Sequence, residues 1–225
     1  MNRLRVLLIG AKGRMGRTIV DLATKESAIE IVAECDLGDA IAPAMKNADV
    51  AIDFSQPGAV EEICRAAEAE RKPLVIGTTG HSPAQRDLIE NTSCSVPIVF
   101  ASNFSVGVNA LFALTRETAE ILRDFEVSIV ETHHTKKKDA PSGTAKTLGE
   151  MIRSARKIDN VPIESIREGE VVGEHTVIFS GPGERLELTH RAATREIFAR
   201  GALRAAQWVR DKPAALYSMQ DVLGL

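Results

Sequence analysis

The run Glu131-Thr132-His133-His134-Thr135-Lys136-Lys137-Lys138-Asp139-Ala140-Pro141-Ser142-Gly143-Thr144-Ala145 is the densest polar stretch in the chain. His133, His134 and Lys137 are the residue types that donate a proton to, or stabilise, negative charge developing on a reacting molecule. Immediately after them, Pro141-Ser142-Gly143-Thr144 reads as a helix start with Ser142 as cap, and N–H groups at such an end bind carboxylates. The blander readings are an exposed strand end for the histidines, a solvated loop for the lysines and a simple helix cap for Ser142. No metal site is expected, because adjacent strand histidines point to opposite faces and neither a cysteine nor a third histidine has ligand spacing.

A second constellation lies near the start of the chain. Gly10-Ala11-Lys12-Gly13-Arg14-Met15-Gly16 stands between an apolar run and a helix-like stretch, where backbone N–H groups and a helix dipole hold a pyrophosphate. Its spacing is Gly-x-x-Gly-x-x-Gly, so the motif needs its context. That context is present: Asp36 ends the next apolar run about 20 residues beyond Gly16, the separation of an acid that binds ribose hydroxyls. An acid there, followed by Leu37 and with no adjacent Arg for a 2′-phosphate, favours NADH over NADPH, although Lys12, Arg14 or Arg17 lies within the same loop. Gly77-Thr78-Thr79 and Ala101-Ser102-Asn103-Phe104 follow two later apolar runs and are candidates to line a nicotinamide site. The bland reading of both is a small-residue turn. Hydride delivered to a carbon–carbon or carbon–nitrogen double bond leaves negative charge on the substrate, which His133, His134 and Lys137 are equipped to meet.

The elements that must position these groups fall into two patterns. Up to about Ser102, apolar runs at 4–9, 29–35, 49–53, 73–77 and 97–101 alternate with helix-like stretches at Arg14 to Lys25, Gly58 to Arg71 and Pro83 to Asn91. Such alternation specifies an α/β doubly wound parallel sheet, a Rossmann domain. A long helix from Val106 to about Arg123 follows, and the rhythm then changes. Strands at Val127 to Thr132, Ile163 to Arg167, Val171 to Ser180 and Arg185 to His190, with one helix from about Ser142, predict a second α+β domain on a mixed or antiparallel sheet. A last helix at Thr194 to Arg210 and a tail at Leu216 to Leu225 are expected to return to the first domain. The division expected is 1–104 plus 200–225 for the dinucleotide and 105–199 for substrate and oligomerisation.

Composition narrows the partners. A chain of 225 residues with 44% hydrophobic and 26% charged residues has the make-up of a globular protein. A net charge of -3 and a pI near 6.0 create no field that would draw nucleic acid or an anionic membrane, so a small-molecule partner is expected. Cys35, Cys64 and Cys94 are an odd number without metal-type pairing. No stretch approaches the ~18 consecutive apolar residues of a membrane span. A soluble cytoplasmic protein is the expectation.

The pattern Glu-x-His-His-x-x-Lys-x-Asp-x-Pro-Ser-Gly-Thr-Ala resembles the signature of the dihydrodipicolinate reductase family. The glycine loop, Gly77-Thr78-Thr79-Gly80, Ser102-Asn103-Phe104-Ser105, Gly183 to Arg191 and the closing segment from Phe198 extend the likeness over nearly the whole chain. The resemblance implies NADH- or NADPH-dependent reduction of the cyclic dicarboxylate made from pyruvate and aspartate semialdehyde, giving tetrahydrodipicolinate on the route to diaminopimelate and lysine. It further implies His133 as proton donor, Lys137 as the second essential cation, His134 as a substrate contact, Gly143 and Thr144 as holders of a substrate carboxylate, and a homotetramer built through the second domain's sheet. The segment from Asp36 to Asp49 is shorter than in many members. Two other readings compete: an amino-acid dehydrogenase of similar fold, and a non-catalytic NADH-binding module.

Overall fold

The computed structural model describes residues 3–225, which divide into two compact units: 3–105 with Glu196–Gly224, and Val106–Arg195 with the terminal Leu225.

The first unit is built on a six-stranded parallel sheet of β1 (Leu4–Ile9), β2 (Ile29–Cys35), β3 (Val50–Asp53), β4 (Leu74–Ile76), β5 (Ile98–Phe100) and β10 (Leu216–Tyr217) in the order β10-β5-β4-β3-β1-β2. Its central strands, β3 and β4 above all, are apolar on both faces because both faces are covered. Val6, Leu8, Val50, Ile52, Val75 and Val99 pack with Ile19 and Leu22 of α1 (Arg14–Ala23), Leu203 and Ala206 of α7 (Glu196–Val209) and Val222 of α8 (Met219–Leu223). The alternate residues Leu7, Ile9, Ala51, Leu74, Ile76 and Ile98 pack with Met45 of α2 (Ile41–Asn47), Ile63 of α3 (Val60–Glu70) and Ile89 of α4 (Pro83–Ser93). One-residue alternation along each strand thus feeds two cores.

Sequence expectation and structure differ at edges. The expected strands at 49–53, 73–77 and 97–101 shorten to 50–53, 74–76 and 98–100, where ladder pairing stops. The expected start of α3 at Gly58 is instead a 3₁₀ turn, Pro57–Ala59, and its end is set by Arg71 in the left-handed region at φ 52°. Helix α2 was not expected. Its seven residues bury only Ile41 and Met45, one helical turn apart, too short a stretch for periodicity to reveal.

The second unit carries a four-stranded mixed sheet of β6 (Glu126–His133), β7 (Ile163–Arg167), β8 (Gly173–Gly181) and β9 (Glu184–Ala192), ordered β7-β6-β8-β9. Strands β6 and β7 run parallel, and the other two pairs are antiparallel. Leu111 and Phe112 of α5 (Val106–Ile121) and Leu148 and Ile152 of α6 (Gly143–Arg156) share a core with Ile129, Val177 and Phe179 of the sheet. Arg156 closes this core by donating to the carbonyls of Ala119 (3.1 Å), Leu122 and Phe125 (2.6 Å), in the last turn of α5 and the segment that follows it. Among the described residues no helix is long and apolar enough to cross a membrane.

Candidate active site

In the first unit the residues singled out by sequence gather at the carboxyl edge of the parallel sheet. Gly10 follows β1 at φ 85°, with its N–H on the Cys35 carbonyl at 2.7 Å. A Cβ on Gly10 would strike the Phe54 and Ser55 backbone, and one on Gly16 would overlap the Gly10 and Ala11 carbonyls. These glycines therefore allow the loop to fold tightly under the start of α1. No side chain caps the first turn of α1 and no acidic residue occupies it, which suits an anionic pyrophosphate at Gly13, Arg14, Met15 and Gly16.

Asp36 follows β2, and both its carboxylate oxygens accept from the Lys12 N–H at 3.2 Å. Asp36, Asp39 and Glu62 line a cavity of about 290 Å³ together with Leu37, Ser55 and Gln56, and no Lys or Arg joins them. Such a lining suits ribose hydroxyls, and the Lys12 ammonium stands 3.9 Å from the Asp36 carboxylate at its edge. After β4, a Cβ on Gly77 would enter the Phe54 ring, which itself meets the Phe104 ring at 5.7 Å. Thr78 is buried, Thr79 is exposed, and Ala101, Ser102 and Asn103 follow β5 at the same edge. Sequence reading passed over Asp53 and His81, both buried at this edge, with Asp53 accepting from the Ser55 N–H at 2.9 Å.

The polar run from Glu131 to Ala145 lies wholly in the second unit. His133 closes β6 and is 8% exposed, and its Nδ1 bonds the Glu131 carboxylate two residues earlier on the same strand face. The other Glu131 oxygen accepts from the Arg167 guanidinium at 2.8 Å and from the Ser142 N–H at 3.3 Å. Burial by itself would raise the Glu131 pKa, but Arg167 and His133 outweigh it and hold the group below the ordinary carboxylate value. Burial lowers the His133 pKa, and the raising effect of Glu131 does not fully offset it.

Ser142 caps α6 as expected, its Oγ accepting from the Ala145 N–H at 3.2 Å, and it also meets His175 Nε2 at 3.0 Å. A Cβ on Gly143 would meet nothing within 4 Å, so the first turn of α6 can be approached closely. Thr144 is the next residue of that turn. Lys137 lies in the loop between β6 and α6 with its ammonium on Asp139 at 2.7 and 2.8 Å. His134 donates its backbone N–H to the Val171 carbonyl at 2.7 Å, and its buried Nδ1 has no protein partner. His133, Lys137 and the start of α6 are thus brought together by one strand, one loop and one helix start.

Glu131, Arg167 and His175 were not assigned roles from sequence. Glu131 was legible in principle, since a strand places residues two apart side by side. His175 was not: it arrives through the antiparallel register that sets it opposite Glu131. Strand pairing brings His175 beside Glu131 and His133, with a side-chain N or O atom of each within 4.8 Å of the others, a grouping that spacing along the chain does not record. In this arrangement the Glu131 carboxylate and one nitrogen of each ring are engaged by protein groups.

Comparison with known proteins decides the family. The model for the N-terminal part of dihydrodipicolinate reductase matches residues 4–104, and the model for its C-terminal part matches residues 107–223. The chain belongs to the dihydrodipicolinate reductase family. The 4-hydroxy-tetrahydrodipicolinate reductase of Akkermansia muciniphila is 45% identical over 99% of this chain and 98% of its own length. That of Desulfovibrio desulfuricans is 42% identical over 96% of this chain and 98% of its own. Among solved structures, dipicolinate-bound dihydrodipicolinate reductase from Paenisporosarcina superposes with a TM-score of 0.83 at 23% identity, covering 98% of this chain and 99% of that one. A diaminopimelate dehydrogenase from C. glutamicum shares the fold at a TM-score of 0.62 and 11% identity, covering 97% and 93%. Within this reductase family the first unit is the nucleotide-binding Rossmann part, and the doubly wound sheet with a second mixed sheet agrees with the fold class read from sequence.

Proposed function

We propose that this protein reduces 4-hydroxy-tetrahydrodipicolinate to tetrahydrodipicolinate with NADH or NADPH, in the route to diaminopimelate and lysine. The observation that carries the reading is the convergence of His133, Lys137 and the open first turn of α6 within a chain matched end to end by this reductase family. A ring dicarboxylate needs carboxylate holders and a proton source side by side, and that is what these residues offer.

The division of labour is as follows. Gly10, Ala11, Gly13, Arg14, Met15 and Gly16 hold the pyrophosphate, Asp36 the adenosine ribose, and Gly77, Thr78, Thr79 and Ala101 to Phe104 the nicotinamide end. The bound cofactor, when reduced, supplies the hydride. Lys137 with the Gly143 and Thr144 turn binds a substrate carboxylate, His134 contacts the substrate, and His133 delivers the proton that neutralises the reduced ring. The acidic lining around Asp36 favours NADH. The enzyme acts as a cytoplasmic homotetramer, assembled through the sheet of the second unit. Light scattering on a sizing column measures that mass directly, and a monomer would discard the assembly.

Parallel assays of NADH and NADPH oxidation, with substrate generated in situ from pyruvate and aspartate semialdehyde by a coupling synthase, test the activity. Rapid oxidation that falls at least about 100-fold in Lys137→Ala is expected. Bound dinucleotide without oxidation would sink the substrate assignment.

A further inference from the structure

Glu131 is fully buried, and although burial raises its pKa, its hydrogen-bond partners hold it below the ordinary carboxylate value, so it is anionic. Its surroundings explain what it does. One oxygen is committed to His133 Nδ1. The other collects the Ser142 N–H, one residue before α6 begins, and the Arg167 guanidinium. Arg167 reaches onward to the Asp139 carbonyl at 2.6 Å, and the Asp139 carboxylate holds Lys137. The histidine, the lysine loop and the start of α6 are therefore tied to a single carboxylate.

We propose that Glu131 is the positioning residue of this site: it fixes the His133 tautomer, with the proton on Nδ1 and Nε2 left to face the substrate, and it sustains the imidazolium that donates from Nε2. The inference rests on the proposed role of His133 as proton donor. In the donation itself the Nε2–H bond breaks, the proton joins the reduced ring, and neutral His133 keeps its Nδ1–H on Glu131 until solvent returns a proton to Nε2. The charged and titratable groups facing His133 agree with this assignment. Glu131 is the one anion among them, against Arg167 from β7, His175 from β8 and Lys137 from the loop. Burial keeps His175 neutral, with its pKa pushed down to about 3, so it does not compete for the proton. A carboxylate behind an imidazole is the arrangement that sets tautomer and orientation in hydrolytic triads.

The decisive variant is Glu131→Gln. Arg167 and the Ser142 N–H both require an acceptor, so the amide oxygen faces them and the amide NH₂ faces His133 Nδ1. That reverses the tautomer, leaving His133 neutral with its proton on Nε2. Imidazole ¹⁵N shifts of the full-length protein, assigned by comparison with His133→Gln, read the tautomer without any assay of activity. We expect Nδ1–H in the parent and Nε2–H in Glu131→Gln. With substrate, kcat should fall at least about 100-fold while KM changes less than about threefold, and the His133 limb of the pH profile should vanish. Glu131→Asp, which keeps the charge, should recover part of kcat and that limb. An unchanged tautomer in a folded Glu131→Gln, or an unchanged kcat, overturns the proposal. A tautomer that flips in a protein lacking reductase activity would retain the positioning role and reject only the substrate reading.

Discussion

Gly173 keeps clear the space beside the His133 ring: a Cβ at position 173 would come within 3.1 Å of Nε2 and 3.4 Å of Cδ2. Position 173 opens β8, and its lack of a side chain leaves the ring its place beside Glu131. Gly173→Ala should therefore displace the ring by a few tenths of an ångström and lower kcat about tenfold, with little loss of stability. Steady-state kinetics alongside thermal melts would separate the two effects. An alanine variant with full activity would show that the ring has freedom it does not need.

Gly16 answers to a harder constraint, because its missing Cβ faces backbone carbonyls that cannot rotate away. Gly16→Ala should push α1 from the Gly10 turn, raise the dinucleotide Kd at least about tenfold and cost about 1–3 kcal/mol of stability. Fluorescence titration with NADH measures the first and denaturant unfolding the second.

Cofactor choice should follow charge near the ribose. Removing one of the three acids around the cavity at Asp36, as in Asp36→Ser, weakens repulsion of a 2′-phosphate while losing a hydroxyl partner. The ratio of kcat/KM for NADPH over NADH should rise about tenfold. A ratio that stays fixed would place the selecting charges elsewhere in the loop, at Lys12, Arg14 or Arg17.

Acid should destabilise the protein earlier than carboxylate titration alone predicts. Burial, reinforced by the nearby charge of His133, pushes the His175 pKa down to about 3, against 6.5 for an exposed imidazole. As pH falls the unfolded chain takes up the proton first, so the stability tied to neutral His175 is complete above pH 6.5 and is lost progressively from there towards pH 3. His133 and His190 are shifted in the same direction. Urea midpoints at pH 7.5 and pH 5 should show the parent losing about 2 kcal/mol more than His175→Gln. Equal losses would mean that His175 is not desolvated in solution.

Strand and helix order was legible because local periodicity reports burial. Val6 and Leu8 against Leu7 and Ile9 read as a strand covered on both faces, and the structure sends those pairs into separate cores. Edges were less legible, since strand length depends on where partner strands end: Asp49, Pro73 and Pro97 lie just outside the ladders. Helix α2 escaped notice because two buried residues make no period.

From the sequence alone came the glycine loop with its acid at Asp36, the polar run from Glu131 to Ala145, and the change from parallel to mixed sheet, all carried by residues close together in the chain. Tertiary structure decided which groups those residues meet. Register between β6 and β8 places His175 opposite Glu131, and parallel pairing of β6 with β7 sets Arg167 opposite His133, close enough to reach Glu131. A buried carboxylate must gather partners from wherever the fold supplies them, and beside the local His133 and Ser142 one of them, Arg167, comes from a strand 36 residues away. Local spacing carries no record of such encounters, because backbone pairing between distant strands creates them.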